Sequence, residues 1–428
     1  MHVLLAFAIA LVLISLLGIK FRLMPFITLI GAAFLYGILA GMDPSAIVVA
    51  VSTGTGTVFT LLGIVIFCGA VIAEVLRQGA YLSTIVQDIR RIAGRPVYAS
   101  GAAGYLLSVP LMCSITSFVV LAPVVSSLRG DRPGVKRLLY VAAVAGVLSF
   151  VLLYPAPVIL AIASALGLSS GEAWQIDAVT LPISLVLLAA LCIVASRRDI
   201  PDASPAPLAD AASAPRWKAW APIAVPLIFF LAGLLVPGWS VLANINVALL
   251  AGLAVALASA PTDLRLEATA KGTRHAGIII FDLCGAGALG SVIAASQFPS
   301  QAYASLSAVL PAIVIPFALA ALVQTAQGSR VTTAVVTSGI VGATAMGSDI
   351  HPLALVLEIC AGCCMISYVS DPFFWLLARV TGDDFTGVVR GYTLPLAAIG
   401  VCILMAALIV QASLGGGRLT TIRTRDSQ

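Results

Sequence analysis

The sequence predicts an all-α polytopic membrane protein built from two inverted-topology repeats, each holding a re-entrant helical hairpin and a broken transmembrane helix, with about ten spans in all. Three observations predict it. Hydrophobic residues make up 61% of the 428 and charged residues only 10%, with mean hydropathy +1.10, a balance no soluble domain carries. Apolar stretches long enough to cross ~30 Å of hydrocarbon, roughly 20 residues of helix each, recur along the whole length. The chain also repeats itself: Cys68-Gly69-Ala70 is followed about forty residues on by the polar run SVPLMCSITS from Ser108 to Ser117, and Cys284-Gly285-Ala286 is followed at nearly the same distance by QTAQGSRVTT from Gln324 to Thr333.

The first repeat covers 1–196. Spans are expected at Met1 to Gly18, Met24 to Gly41 and Val58 to Leu76, returning the chain to the basic inner side at Arg77, Arg90, Arg91 and Arg95. The first stretch lacks a basic n-region and a small-residue cleavage site, so it reads as a span and not as a cleaved signal. Val97 to Leu128 has basic flanks on both sides, Arg129, Arg132, Lys136 and Arg137 closing it, yet holds only about one and a half membrane thicknesses of helix. A hairpin over 97–128 that turns at Pro110 to Ser114 and leaves by the face it entered satisfies both facts. A broken span follows over 138–168, interrupted at Tyr154-Pro155-Ala156-Pro157, where two prolines remove backbone donors. Val179 to Ala195 then returns to Arg197 and Arg198.

The stretch 197–218, rich in Pro, Ala, Ser and Asp, reads as a cytoplasmic linker. The second repeat, 219–412, has the same order: spans at Ala219 to Val236, Leu242 to Ala260 and Ala276 to Ala295, a hairpin over about 307–345 turning at Gln324 to Arg330, a broken span over 352–380 interrupted at Ser370-Asp371-Pro372, and a last span from Gly391 to Gln411. A tail of 413–428 remains. Matching elements lie about 218 residues apart early and about 214 late, with an odd number of crossings between them, which inverts the second copy. The net charge of +5 is spread through short loops, where it reports topology and argues against a nucleic-acid partner.

Several motifs have dull readings. Gly285-Ala-Gly287-Ala-Leu-Gly290 spells a dinucleotide fingerprint but lies in a span, where small residues pack helices closely. Ser52-Thr-Gly-Thr-Gly-Thr57 reads as an outer loop, and Glu74 beside Arg77 as an interfacial pair. All eight cysteines lie in apolar runs and read as small core residues; no metal site and no cofactor are expected. Only His2, His275 and His351 are present, all near span ends or outside, which leaves little for intramembrane enzyme chemistry.

The hairpin tips carry the functional signal, because at each tip one short helix ends with free carbonyls and the next begins with free N–H groups. Ser108, Pro110, Cys113, Ser114, Thr116 and Ser117 at the first tip, Gln324, Thr325, Gln327, Gly328, Ser329, Arg330 and Thr332 at the second, with Thr333, and Tyr154 at the first break, form the candidate substrate-binding set. Single hydroxyls of this kind often bond back to their own helix; two clusters in matching places favour a site. Asp282, Glu358 and Asp371 are intramembrane carboxylates and the candidate proton-coupling groups, with Asp371 placed at the second break. Arg330 either clamps a substrate carboxylate or neutralises one of these three.

Four stretches carry a family resemblance: GAVIAEVLRQGA from Gly69 to Ala80, LSVPLMCSITSFVVLAPV from Leu107 to Val124, AQGSRVTTAVVTSGIV from Ala326 to Val341, and SYVSDPFFWLLARVTGDDF from Ser367 to Phe385. On these the chain resembles the gluconate:proton symporter family, the gluconate permeases within a larger group of inverted-repeat ion transporters, from roughly Gly63 to Val410. Asp371 and Phe374-Trp375 match that family's Asp and Phe-Trp pair. Met112, Cys113 and Ser114, the Tyr154-Pro155-Ala156-Pro157 break, and Arg330 depart from its usual pattern and suggest a different or more acidic ligand. The resemblance implies a proton-coupled symporter that imports gluconate or a related sugar acid across the bacterial inner membrane. Its partners would be a small carboxylate, protons and the lipid bilayer, and carriers of this architecture are often homodimers. Na⁺ coupling of a di- or tricarboxylate carrier is the alternative, and a passive anion channel a remoter one.

Overall fold

The computed structural model describes residues 3–17, 21, 23–79, 81–93, 95–127, 134–168, 173–197, 215–236, 238–342, 350–368 and 371–414. Every regular element among them is helical. The first half comprises α1 (Val3–Ser15), α2 (Pro25–Leu39), α3 (Pro44–Gln78), α4 (Tyr81–Ala93), α5 (Pro96–Ser108), α6 (Ser114–Ser127), α7 (Val135–Leu152), α8 (Pro157–Ala165) and α9 (Asp177–Arg197). The second comprises α10 (Arg216–Leu235), α11 (Ile245–Ser259), α12 (Thr262–Ala295), α13 (Phe298–Leu306), α14 (Ile315–Gln327), α15 (Arg330–Gly342), α16 (Pro352–Cys363), α17 (Pro372–Thr381) and α18 (Leu394–Leu414). The order recurs element by element. Pro44 and Thr262, Tyr81 and Phe298, Ser114 and Arg330, Val135 and Pro352, and Asp177 and Leu394 open corresponding helices, 216 to 218 residues apart.

Local chemistry sets the boundaries. Proline opens α2, α3, α5, α8, α16 and α17, where its missing N–H costs nothing. Asp43 caps α3 by accepting the amides of Ser45 at 3.0 Å and Ala46 at 3.3 Å, and Asp371 caps α17 by accepting the amide of Phe373 at 2.9 Å. Five stretches are long and apolar enough to cross a membrane: Pro44–Gln78, Val135–Ala165, Trp174–Arg197, Thr262–Ala295 and Phe385–Leu414. α7 is buried from Leu138 to Leu152, so the first broken helix lies inside the protein. α9 and α18 instead expose Val186, Val194, Met405 and Ile409, faces suited to lipid.

The structure corrects the sequence reading in two places. Ser52 to Thr57 is not a loop but part of α3, because the Asp43 cap and Pro44 start that helix well before its apolar run. Tyr81–Ala93 and Phe298–Leu306, read as connections, are the short helices α4 and α13. α4 buries Tyr81, Ile85 and Ile89 on one side, while Asp88 pairs with Arg216 and accepts the Trp220 indole N–H, a pattern too polar for a span. Residues 198–214 of the linker, 128 at the end of the first hairpin, 343–345 of the second, Ser370 and 415–428 of the tail lie outside the described residues.

The two longest helices, α3 and α12, form the central contact and run antiparallel. Gly54 meets Gly287 near one end and Val71 meets Gly272 near the other, while the Thr55 hydroxyl reaches the Cys284 carbonyl at 3.5 Å. A Cβ added at Gly54 would lie 2.2 Å from the Gly287 carbonyl oxygen, and one at Gly287 2.4 Å from that of Gly54. Backbone cannot move aside without parting the helices. Gly54→Ala and Gly287→Ala should therefore each destabilise the protein by about 1–3 kcal/mol. The double variant should cost less than the sum, since both force the same separation, and thermal unfolding in detergent reads this.

Candidate functional site

At the second hairpin, α14 stops at Gly328, whose φ of 69° suits glycine, and its amide donates to the Gln324 carbonyl at 2.7 Å. Ser329 starts α15: its carbonyl accepts the Thr333 amide at 2.9 Å and its hydroxyl oxygen the Thr332 amide at 3.4 Å. The Thr333 hydroxyl donates to Gln324 Oε1 at 2.9 Å and ties the two arms together. Thr325 bonds back to the Ala321 carbonyl at 2.7 Å, and the side chain of Gln327 lies outside the described residues.

This turn lies against the second broken helix. Arg330 Nη2 is 3.0 Å from Asp371 Oδ2, 2.9 Å from the Ser367 hydroxyl and 2.6 Å from the Tyr392 hydroxyl, which in turn donates to Asp371 Oδ2 at 3.1 Å. Arg330 is 5% exposed and Asp371 1%. Asp371 thus accepts from a guanidinium, a phenol and the Phe373 amide, a donor set that matches an ionised carboxylate. Two buried donors at the same tip, Arg330 Nε and Gln324 Nε2, have no hydrogen-bond partner among the described residues. The ring of Phe118, from the first hairpin, packs on Phe373 at 5.3 Å, and Phe373 on Tyr392 at 5.4 Å, closing the cluster from the side.

The first hairpin turns through Val109 to Cys113, with Met112 at φ 52°, and lies against its own half's break. Pro110 and Met112 share a cavity of about 330 Å³ with Tyr154, Asp177 and Phe230, mostly apolar in lining. Asp177 Oδ1 accepts the Tyr154 amide at 2.9 Å and the Thr180 hydroxyl at 3.2 Å, satisfying backbone freed by the interruption. In the second half Thr393 plays the matching part, donating to the Ser367 carbonyl at 2.5 Å. Cys113 Sγ accepts the Thr116 amide at 3.4 Å, the Thr116 hydroxyl meets His275 Nε2 at 3.0 Å, and Ser108 bonds back to the Gly104 carbonyl at 3.0 Å. Ser114 and Ser117 are buried, and the Ser117 hydroxyl has no hydrogen-bond partner. Each tip therefore meets a break. The first break holds a lone carboxylate, Asp177, and the second an ion pair, Arg330 with Asp371.

The remaining carboxylates part company. Asp282 Oδ1 accepts the Phe26 amide at 3.1 Å and so caps α2 from a distance. Glu74 pairs with Arg77, as the spacing suggested. Glu358, on α16, is fully buried and neither of its oxygens has a hydrogen-bond partner. Among the described residues no three His, Cys, Asp or Glu side chains converge in a way that would hold a metal. Between α3, α8, α12 and α15 lies a cavity of about 310 Å³, mostly apolar in lining, with Thr53, Thr57, Ser164, Ser291 and Ser338 among its lining residues. The sequence reading missed that cavity, and it missed Ser367, Tyr392, Asp177 and His275 as partners. The repeat offset is the signal that finds some of them: it aligns Asp177 with Leu394, one residue past Thr393, and Thr57 with His275.

Long apolar helices, paired hairpins and breaks with polar groups deep inside define a multi-pass helical membrane transporter. The chain belongs to the GntP permease family, whose sequence profile matches residues 2–221 and 224–413. It is 24% identical over 423 residues to the low-affinity gluconate transporter of Escherichia coli K12, covering 92% of this chain and 94% of that protein. It is 21% identical over 434 residues to the high-affinity gluconate transporter of the same strain, covering 94% and 98%. The fold is similar to the crystal structure of the Alcanivorax borkumensis YdaH transporter, with a TM-score of 0.55, 20% identity, and coverage of 85% of this chain and 86% of that one. The protein is thus a gluconate permease family transporter of the inner membrane, not an enzyme.

Proposed function

We propose that this transporter is a proton-coupled symporter that imports a small hydroxylated carboxylate, gluconate or a related sugar acid, by alternating access. One observation carries the anion-binding part: Arg330 Nε and Gln324 Nε2, two buried donors at one hairpin tip, lack acceptors. A buried donor left unpaired costs roughly 1–3 kcal/mol, which a carboxylate arriving at the tip would recover. Ser329, Thr332 and Thr333 add hydroxyls at the same turn, and a cavity of about 310 Å³ lies farther along α15, beside Val335 and Ser338. The first tip, with Ser114, Ser117 and Thr116, supplies the opposite wall.

The recurring element order and the antiparallel packing of α3 on α12 support two inverted repeats with re-entrant hairpins. Rocking of the hairpin arms against α3 and α12 would open the site first to one side and then to the other. For the proton, Asp371 is occupied by three donors and Asp282 by a helix end, whereas Glu358 has none. An unpaired carboxylate in such a place is far costlier than a carboxylic acid, so Glu358 is the group that takes and releases the proton.

The test is uptake into proteoliposomes of labelled sugar acids and small mono- and dicarboxylates under an inward proton gradient, repeated with an uncoupler and with K⁺ in place of Na⁺. Uphill uptake that vanishes with the uncoupler and ignores Na⁺ is expected. Uptake that follows Na⁺ at fixed pH would replace proton coupling with Na⁺ coupling, and dissipation of a pre-formed gradient without uphill uptake would make the protein a channel.

A further inference from the structure

A third cavity, of about 450 Å³, lies away from both tips, between α7, α9 and the turn that leads into α18. One end is cationic: Lys136 and Arg137 in the first turn of α7 and Arg390 ahead of α18. The other end is apolar, walled by Val141, Val144 and Leu191. The cations stand at helix ends on the side the basic loops assign to the cytoplasm, and α9 and α18 are the helices whose outer faces suit lipid. Among the described residues, two carboxylates stand against these cations. Asp383 is held by Lys136 at 2.5 Å and by the Tyr140 hydroxyl at 2.8 Å, and Asp384 accepts the Gly387 amide at 2.9 Å. Arg137 is engaged, donating to the Ala195 carbonyl at 3.4 Å, which leaves Arg390 as the principal cation for a ligand. Arg390 is exposed, with no ion pair among the described residues.

We propose that this cavity holds an anionic glycerophospholipid, its phosphodiester on Arg390 and Arg137 and the top of an acyl chain against Val144 and Leu191. A small anion would use only the rim, and a neutral apolar molecule would leave the cations unanswered. An amphiphilic anion fits both ends, and basic pockets between spans on the cytoplasmic side are suited to acidic headgroups. One short turn links the cavity to the transport site. Arg390 and Tyr392 share the π-helical turn Val389–Thr393, Tyr140 packs where a Cβ on Gly391 would fall, and Tyr392 holds Asp371 and Arg330. A lipid seated on Arg390 would fix that turn, and with it the position of Tyr392.

Purified protein titrated with short-chain phosphatidylglycerol, short-chain phosphatidylcholine and inorganic phosphate, read by thermal shift and by lipid retained in native mass spectrometry, decides the matter. Phosphatidylglycerol alone should stabilise the wild type and be retained. Arg390→Ala should weaken that response about fivefold, the effect of one cation near the surface, and Arg390→Lys should keep most of it. Val194→Trp, which fills the cavity without touching its charge, should lower retention while leaving the melting temperature without lipid unchanged. Equal retention by wild type, Arg390→Ala and Val194→Trp would overturn the proposal. So would inorganic phosphate matching phosphatidylglycerol, which would make this a small-anion site, or phosphatidylcholine matching it, which would remove the charge selectivity.

Discussion

Arg330→Gln is expected to abolish uptake, and Arg330→Gln with Asp371→Asn is expected to restore a folded protein whose affinity for substrate stays low. The single change removes the cation that Asp371, Ser367 and Tyr392 surround, leaving a carboxylate 1% exposed without its counter-charge. Breaking one side of a buried pair costs on the order of 3–5 kcal/mol, whereas removing both charges together is often nearly neutral. The double variant therefore separates two roles that a single substitution confounds. If Arg330 only neutralises Asp371, the doubly uncharged protein should regain both its melting temperature and its KM. If Arg330 also offers its Nε to a substrate carboxylate, stability returns and affinity does not, by about tenfold or more for one charge-assisted hydrogen bond. Tyr392→Phe serves as the control: it deletes one hydrogen bond each to Asp371 and Arg330 and keeps the ring against Phe373, so its loss should be about 1 kcal/mol.

Why could the sequence name Arg330 and Asp371 yet not join them? Both stood out because a charge in an apolar run is expensive, and expense is readable from composition alone. Their pairing depends on how a turn at Gly328 meets a break before Pro372, forty-one residues apart in the chain, and spacing carries no such information. Tyr392 escaped for a related reason. An aromatic at the head of an apolar helix looks like core or interface, and only the π turn at Val389–Thr393 aims its hydroxyl inward. The order of long elements was legible because each apolar run has one physical outcome in a bilayer. α4 and α13 were not, since a short amphipathic helix and a polar loop share a composition, and α3 outran its apolar core because Asp43 and Pro44 govern its start. Hydroxyl-bearing Ser52 to Thr57 looked like a loop for want of the facing Gly287, which makes sense of the glycines only once α12 is beside them.

Glu358→Gln should uncouple transport without unfolding the protein. In the structure this side chain is fully buried on α16 and receives no donor among the described residues, while the buried ion pair Arg330 with Asp371 is closed on itself. α16 packs against α7, α8, α14, α15 and α18, whose titratable and charged groups are Lys136, Arg137 and Tyr140 in the first two turns of α7, Arg330, and Cys402. None of these forms an ion pair or hydrogen bond with Glu358. Glutamine has the shape of the neutral acid, so the melting temperature should change little. What disappears is the means of carrying a proton. Under an imposed pH difference of two units, one coupled proton supports about 100-fold accumulation, each unit being worth 1.36 kcal/mol. The variant should instead equilibrate its substrate to a ratio near one while retaining exchange of labelled for unlabelled substrate. Asp371→Asn should behave otherwise, failing in exchange as well as accumulation, because it strands Arg330 in the interior. Accumulation near 100-fold in Glu358→Gln, together with an Asp371→Asn protein that exchanges but does not accumulate, would move the proton to Asp371 and require the Arg330 pair to open in every cycle.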